Sequence, residues 1–162
     1  MQIRPAQISD IPAIIRVFDA ARNYMCSHGN PHQWPGEYPG EIEVKRDLAH
    51  GSAFVCLDAA QEVCGYMDFE EGPDPSYHYI EGAWLDEGPY HVIHRIAALS
   101  QGTGIGSFLL DWACAHAQII RVDTHRDNYP MQRLLKSRGF RKCGVIYLET
   151  GDARFAFELT QA

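Results

Sequence analysis

Tyr90-His91-Val92-Ile93-His94-Arg95-Ile96-Ala97-Ala98-Leu99 runs through Ser100 into Gln101-Gly102-Thr103-Gly104-Ile105-Gly106, and apolar residues three and four apart follow at once. The first stretch, rich in β-branched and aromatic residues, predicts a strand. Ile105, Phe108, Leu109, Trp112 and Ala113 share one side of the helix that the last stretch predicts. A strand that turns through small residues into a helix is an anion site. The N–H groups of the first turn lack acceptors of their own, and the helix dipole adds positive potential. Spacing narrows the choice of anion. A triphosphate-binding P-loop needs Lys and then Ser or Thr after its last glycine, whereas Ser107-Phe108 stands here. A dinucleotide turn needs Gly-x-Gly-x-x-Gly early in a βαβ unit. Counted from Gly102, Ser107 takes the third place, in the wrong half of the chain.

Outward from this turn the pattern is regular. Upstream, Gln2-Ile3-Arg4 reads as a short strand, and Ser9 or Asp10 caps a helix with Pro12 in its first turn. Ile11, Ile14, Ile15, Phe18 and Met25 form that helix's apolar stripe. Residues 27–40, broken by glycine and proline, form a loop carrying Trp34 and Tyr38, and a second helix covers 41–50 with Gly51 as its stop. Residues 53–57 and 63–69 predict a hairpin, and Gly72-Pro73-Asp74-Pro75 breaks the pattern. Downstream come a strand over 119–124, a helix over 131–138 with Leu134 and Leu135 inward, and a closing hairpin of 142–149 with 153–159.

Composition bounds the function. With 162 residues, 46% hydrophobic and 22% charged, the chain suits one folded domain over 1–162 that needs neither disulfides nor a metal. No apolar run is long enough to span a membrane, and the start lacks a signal peptide. The five cysteines are scattered without Cys-x-x-Cys spacing, which fits the cytoplasm. A net charge of -7 argues against a nucleic-acid partner. Residues 1–90 hold 15 acidic and 5 basic side chains and residues 91–162 hold 6 and 9, so an anionic cofactor suits the second half and a cationic acceptor the first.

Gln101-x-x-Gly104-x-Gly106 resembles the pyrophosphate turn of the GNAT superfamily of N-acetyltransferases, Gln/Arg-x-x-Gly-x-Gly/Ala. Asn128, Leu134, Gly139 and Phe140 are similarly in register with that family's Asn-x-x-Ala-x-x-Leu-Tyr-x-x-x-Gly-Phe stretch. The order of elements matches along essentially the whole chain. The resemblance implies an α/β (α+β) GNAT fold, a mixed, mostly antiparallel twisted sheet of about seven strands flanked by about four helices. It also implies acetyl-coenzyme A as co-substrate and transfer of the acetyl group to a primary amine. The backbone of Ile96, Ala97, Ala98 and Leu99 would pair with the pantetheine arm. N–H groups of Gln101, Gly102, Thr103, Gly104, Ile105, Gly106 and Ser107 would hold the pyrophosphate. Asn128 would reach the arm, and Arg133 or Lys136 the 3′-phosphate.

Attack on a thioester needs a neutral amine, so a base that titrates near neutrality helps. His94 is the first candidate, since period-two alternation predicts it on the face of Ile96 and Ala98. A histidine at the similar position in related arylalkylamine acetyltransferases is linked to deprotonation. His125, at the end of the next strand, is the second candidate. Where the family commonly has Tyr as the acid for the leaving thiolate, this chain has Leu135, and Met131 replaces the usual Ala. Tyr90, Cys143 and Tyr147 are substitutes to examine. Trp34, Tyr38, Tyr79 and Trp84 could wall a pocket for a small-molecule amine, with Glu81, Asp86 or Glu87 attracting the ammonium. Rival readings are an acyl-coenzyme A sensor without catalysis, a dinucleotide enzyme, and a metal protein using His91 with His94 or His28 with His32. No ligand-spaced carboxylate or cysteine accompanies those histidines, so no metal is expected. The sequence leaves a homodimer open.

Overall fold

Alternation along single strands sets the layers. In β2 (Ala53–Leu57), Ala53, Val55 and Leu57 enter one apolar cluster and Cys56 the other. In β3 (Val63–Glu71), Tyr66 and Met67 divide in the same way. A sheet apolar on both faces must be covered twice. On one face lie α1 (Ile11–Ser27) and α2 (Glu41–His50), packed around Phe18, which meets Trp34 and Tyr66 edge-on at ring distances of 5.8 and 5.1 Å. On the other lie α3 (Ile105–His116) and α4 (Tyr129–Ser137), burying Leu109, Leu110, Ala113 and Leu135.

The computed structural model describes residues 1–162. The remaining strands are β1 (Gln2–Pro5), β4 (Glu81–Gly82), β5 (His91–Ala98), β6 (Ile119–Thr124), β7 (Arg141–Tyr147) and β8 (Ala153–Thr160). Together the eight form one mixed sheet in the order β1-β2-β3-β5-β6-β8-β7-β4, parallel only where β5 meets β6. No helix is long and apolar enough to cross a membrane.

Three details differ from the sequence expectations. The eighth strand, β4, is a two-residue piece against β7, where Gly82 and Gly144 bring two backbones so close that a Cβ on Gly144 would sit 2.0 Å from the Glu81 carbonyl oxygen. No apolar pattern announces such a contact. The α1 stripe is completed by Val17 and Ala21 rather than by Ile15 and Met25, which are only partly buried. The helix expected at 131 starts at Tyr129, because Asn128 caps it by accepting the Met131 N–H at 3.2 Å and Pro130 fits the first turn.

The feature that positions the site is a bulge in β5. Tyr66 pairs with Ala97 and Asp68 with His94, so Arg95 and Ile96 together oppose Met67. Arg95 takes φ 52°, a left-handed conformation costly for a side chain with a Cβ. Beyond the bulge β5 leaves its parallel partner. The two strands pair only from His91–Ile93 to Ile120–Val122, and then part.

Candidate active site

The parting strands open a cleft of about 690 Å³, within the range of a small-ligand site. Ile96, Ala98, Gln101, Gly106, Asn128, Met131 and Leu134 line it toward the α3–α4 face. His94, Asp74, Asp123, Tyr38, Glu149, Asp152 and Arg154 also line it.

At one end of the cleft lies the glycine turn. Gly102 and Gly104 hold φ of 73° and 81°, which orient the chain into the helix. The N–H groups of the seven residues Gln101 to Ser107 donate to no acceptor in the protein, and the first engaged N–H is that of Phe108, bonded to the Gly104 carbonyl at 2.9 Å. These donors converge with the positive end of α3. Exposed Arg133 and Lys136 on α4 are free of carboxylate partners, while Arg138 is tied to Asp111 at 2.8 Å. Of the four residues expected to pair with an extended arm, Leu99 does not offer its N–H, which donates to the Cys64 carbonyl at 2.8 Å. Asn128 accepts the Met131 N–H at Oδ1 and gives one Nδ2 hydrogen to Gln33 Oε1 at 2.8 Å, which leaves its second Nδ2 hydrogen for a ligand.

His94 stands across the sheet from the place its sequence position predicts. The bulge changes parity by one, so Ile96 and Ala98 share the face of Ile93, and His94 shares that of Asp68, Arg95 and Ala97. Its Nε2 lies 2.6 Å from Asp74 Oδ2, and 24% of the side chain is exposed. A carboxylate only accepts, so Nε2 carries the proton and the lone pair is at Nδ1, which has no partner in the protein. Burial opposes charging the ring, but the bond to Asp74 and the charges of Asp123 and Asp74 outweigh it, and the His94 pKa is raised. Asp74, despite its burial, is held below the usual carboxylate range by the same bond.

The bulge is itself held by charge. Arg95 donates from Nε and Nη2 to the two oxygens of Asp47 at 3.0 and 2.6 Å, and from Nη2 to Asp68 at 2.5 Å. Tyr66 adds a hydroxyl bond to Asp47 at 2.7 Å. All four side chains are buried. Asp47 comes from α2, Asp68 and Tyr66 from β3, so two elements clamp the strained residue.

Other expected residues lie elsewhere. His125 is outside the cleft lining, and its Nδ1 accepts the Asp127 N–H at 3.0 Å. Burial and then the charge of Arg154 lower its pKa. Trp34 reaches the cleft but is largely buried against Phe18. Tyr79 is exposed, Glu81 lies in β4, and neither Tyr79, Glu81 nor Trp84 lines the cleft. Trp84 instead caps the sheet, donating to the Tyr77 carbonyl at 3.1 Å beneath the Arg121 guanidinium 4.2 Å from its ring. Segment 72–89 covers this half of the sheet, fixed by Glu158, which accepts the N–H groups of Leu85 and Asp86. Leu135 is wholly buried in the core, and Tyr90, Cys143 and Tyr147 are also away from the cleft. Sequence reasoning missed Asp74, read only as part of a chain break, and the Asp47–Arg95–Asp68 clamp, whose members are far apart in sequence.

A twisted sheet parting beside a donor-rich turn is an arrangement shared with known proteins. The Acetyltransferase (GNAT) family matches residues 18–140. This chain belongs to that family. Among solved structures, a GNAT family acetyltransferase from Streptococcus agalactiae is 30% identical, with a TM-score of 0.88 over 99% of this chain and 95% of that one. Two more distant likenesses show the fold alone. Ribosomal-protein-alanine N-acetyltransferase from Brucella melitensis is 17% identical, with a TM-score of 0.66 and 99% of each chain covered. The NatC complex bound to Gag peptide and coenzyme A is 15% identical, with a TM-score of 0.60 and 100% of each chain covered. No curated protein matches the sequence significantly. As a GNAT protein the chain is an acyltransferase, and its family uses acetyl-coenzyme A.

Proposed function

We propose that the chain transfers the acetyl group of acetyl-coenzyme A to the primary amine of a small molecule, by direct attack within a ternary complex. The observation that carries this reading is one continuous cleft with seven unengaged backbone N–H groups at one end and a carboxylate-oriented histidine in its wall.

The N–H groups of Gln101 to Ser107 hold the diphosphate, and the backbone of Ile96 and Ala98, on the edge of β5 that β6 leaves, lies along the pantetheine arm. This aims the thioester between β5 and β6. The acceptor enters from the face that carries His94, where Asp74, Asp123, Glu149 and Asp152 attract an ammonium. Once the ammonium has released one proton to solvent, His94 Nδ1 takes a second from the neutral amine as it attacks, and Asp74 stabilises the imidazolium. The C–N bond forms as the C–S bond breaks. The thiolate then needs one proton, which is the number His94 has gained, so the same ring can serve both halves and Leu135 need not be replaced by another acid. Holding two reactants in line supplies much of the rate, as effective molarities of about 10⁵–10⁸ M illustrate.

Release of free thiol from acetyl-coenzyme A in the presence of small amines tests the proposal. Thiol release that depends on the amine and yields stoichiometric N-acetyl product is expected. Stoichiometric binding of acetyl-coenzyme A without turnover of any amine would refute it.

A further inference from the structure

The chain buries three arginines, Arg95, Arg121 and Arg154. Two are matched by carboxylates, Arg95 by Asp47 and Asp68, and Arg121 by Glu158 at 2.7 Å. Arg154, 5% exposed, has none. Its Nη1 donates to the carbonyl of its own neighbour Ala153 at 3.1 Å and its Nη2 to the Gln33 carbonyl at 3.3 Å, while Nε makes no bond in the protein. Burying a charge with only neutral acceptors is expensive, and buried charges are ordinarily paired.

Arg154 lies in the wall of the cleft. The other cations there have partners. Arg46 is 3.6 Å from Asp47, His50 is 3.0 Å from Glu70, and His94 and Arg95 have theirs. Arg154 is the second residue of β8, the strand beside β6, and is next to Phe155, which pairs with Thr124. Its Cα is therefore about 6 Å from that of Thr124. The preceding residue, Asp123, accepts the hydroxyl of Tyr77, whose ring lies 6.2 Å from that of His94. The unmatched guanidinium and the proposed base thus sit within a few residues of each other.

We infer that the acceptor amine also carries a carboxylate, and that Arg154 binds it. A guanidinium matches a carboxylate with paired N–H donors, and one such group in a cleft that Asp123, Glu149 and Asp152 also line suits a monoanion rather than a phosphate. The substrate class is an amino acid or a related zwitterion, its ammonium end toward Asp74 and His94. This rests on the acetyltransferase reading above.

The test compares proteinogenic L-amino acids with their carboxamides in the thiol-release assay. Amidation removes the charge at nearly constant size and makes the amine less basic, so amine reactivity alone favours the amides. Acids preferred in kcat/KM by about 10- to 100-fold, as expected for a hydrogen bond between charged groups, support the inference. In Arg154→Gln the acid-to-amide ratio should collapse toward one, and Arg154→Lys should restore part of it. A merely structural arginine would change both substrates alike and leave the ratio untouched. Amides, peptides or amines bearing phosphate turned over as well as or better than the acids would overturn the carboxylate and leave the acetyltransferase reading standing. Turnover of no amine at all would overturn both.

Discussion

Removing the Asp47 side chain should damage the cleft from a position outside the reaction itself. Asp47→Ala leaves Arg95 with Asp68 alone, strips Tyr66 of its hydroxyl partner, and frees α2 from the bulge. Breaking a buried ion pair by deleting one partner costs about 3–5 kcal/mol. For a domain of this size that corresponds to a fall in Tm of roughly 6–20 °C. The loss has a functional side. Arg95 is held at φ 52°, a conformation costing about 1–2 kcal/mol, and without the Asp47 fork β5 gains by relaxing toward regular pairing. Relaxation would close the separation from β6 and disturb the open backbone at Ile96 and Ala98. A thermal melt by circular dichroism and a calorimetric titration with coenzyme A, both made on the same preparation, read the two effects. A Tm within about 2 °C of the parent, with coenzyme A affinity unchanged, would refute the idea that this clamp holds the cleft open.

His94→Ala should lower kcat by about 10²- to 10⁴-fold, the range for a lost general base, while the coenzyme A dissociation constant stays within error. An unchanged kcat across the pH range would remove the base assignment. Asp74→Asn should move the ascending limb of the kcat–pH profile to lower pH. The neutral ring is the active form, the Asp74 bond raises its pKa, and removing that bond lets the ring lose its proton earlier. A limb shifted upward or left in place would contradict the pairing. The same His94 shift predicts a small stabilising contribution that is present at acid pH and disappears as pH rises through the raised pKa. A chemical-denaturation series should therefore show a smaller difference between the parent and His94→Ala above that pH than below it.

The sequence displays the fold where one residue type repeats at one period. The α3 helix and the β2–β3 hairpin could be read from spacing, α2 with the help of its Gly51 stop, and the glycine turn from its composition. The turn residues also kept their predicted neighbourhood, because strand, turn and helix are contiguous and need no distant partner. Features that depend on contacts between distant segments were hidden. His94 changed face because of a bulge whose cause, an Arg95 gripped by Asp47 and Asp68, is spread over three elements. Trp84 reads as a pocket wall until Arg121 and Glu158 are found to pin its segment to the sheet. Asp74 sits between two prolines, where composition signals a turn but says nothing of the histidine 20 residues on that it faces. Arg154 lies near the start of an otherwise ordinary strand pattern, and its lack of a carboxylate is visible only in three dimensions.

The grip of the β5–α3 turn on an anionic cofactor can be watched residue by residue in amide correlation spectra of the ¹⁵N-labelled protein during titration with coenzyme A. Saturable shifts concentrated in the N–H signals of Gln101 to Ser107, with smaller ones from Ile96 to Ala98, are predicted. Saturation that leaves those amides in place while moving signals on another face, or no saturation at all, would contradict the assignment of the cleft.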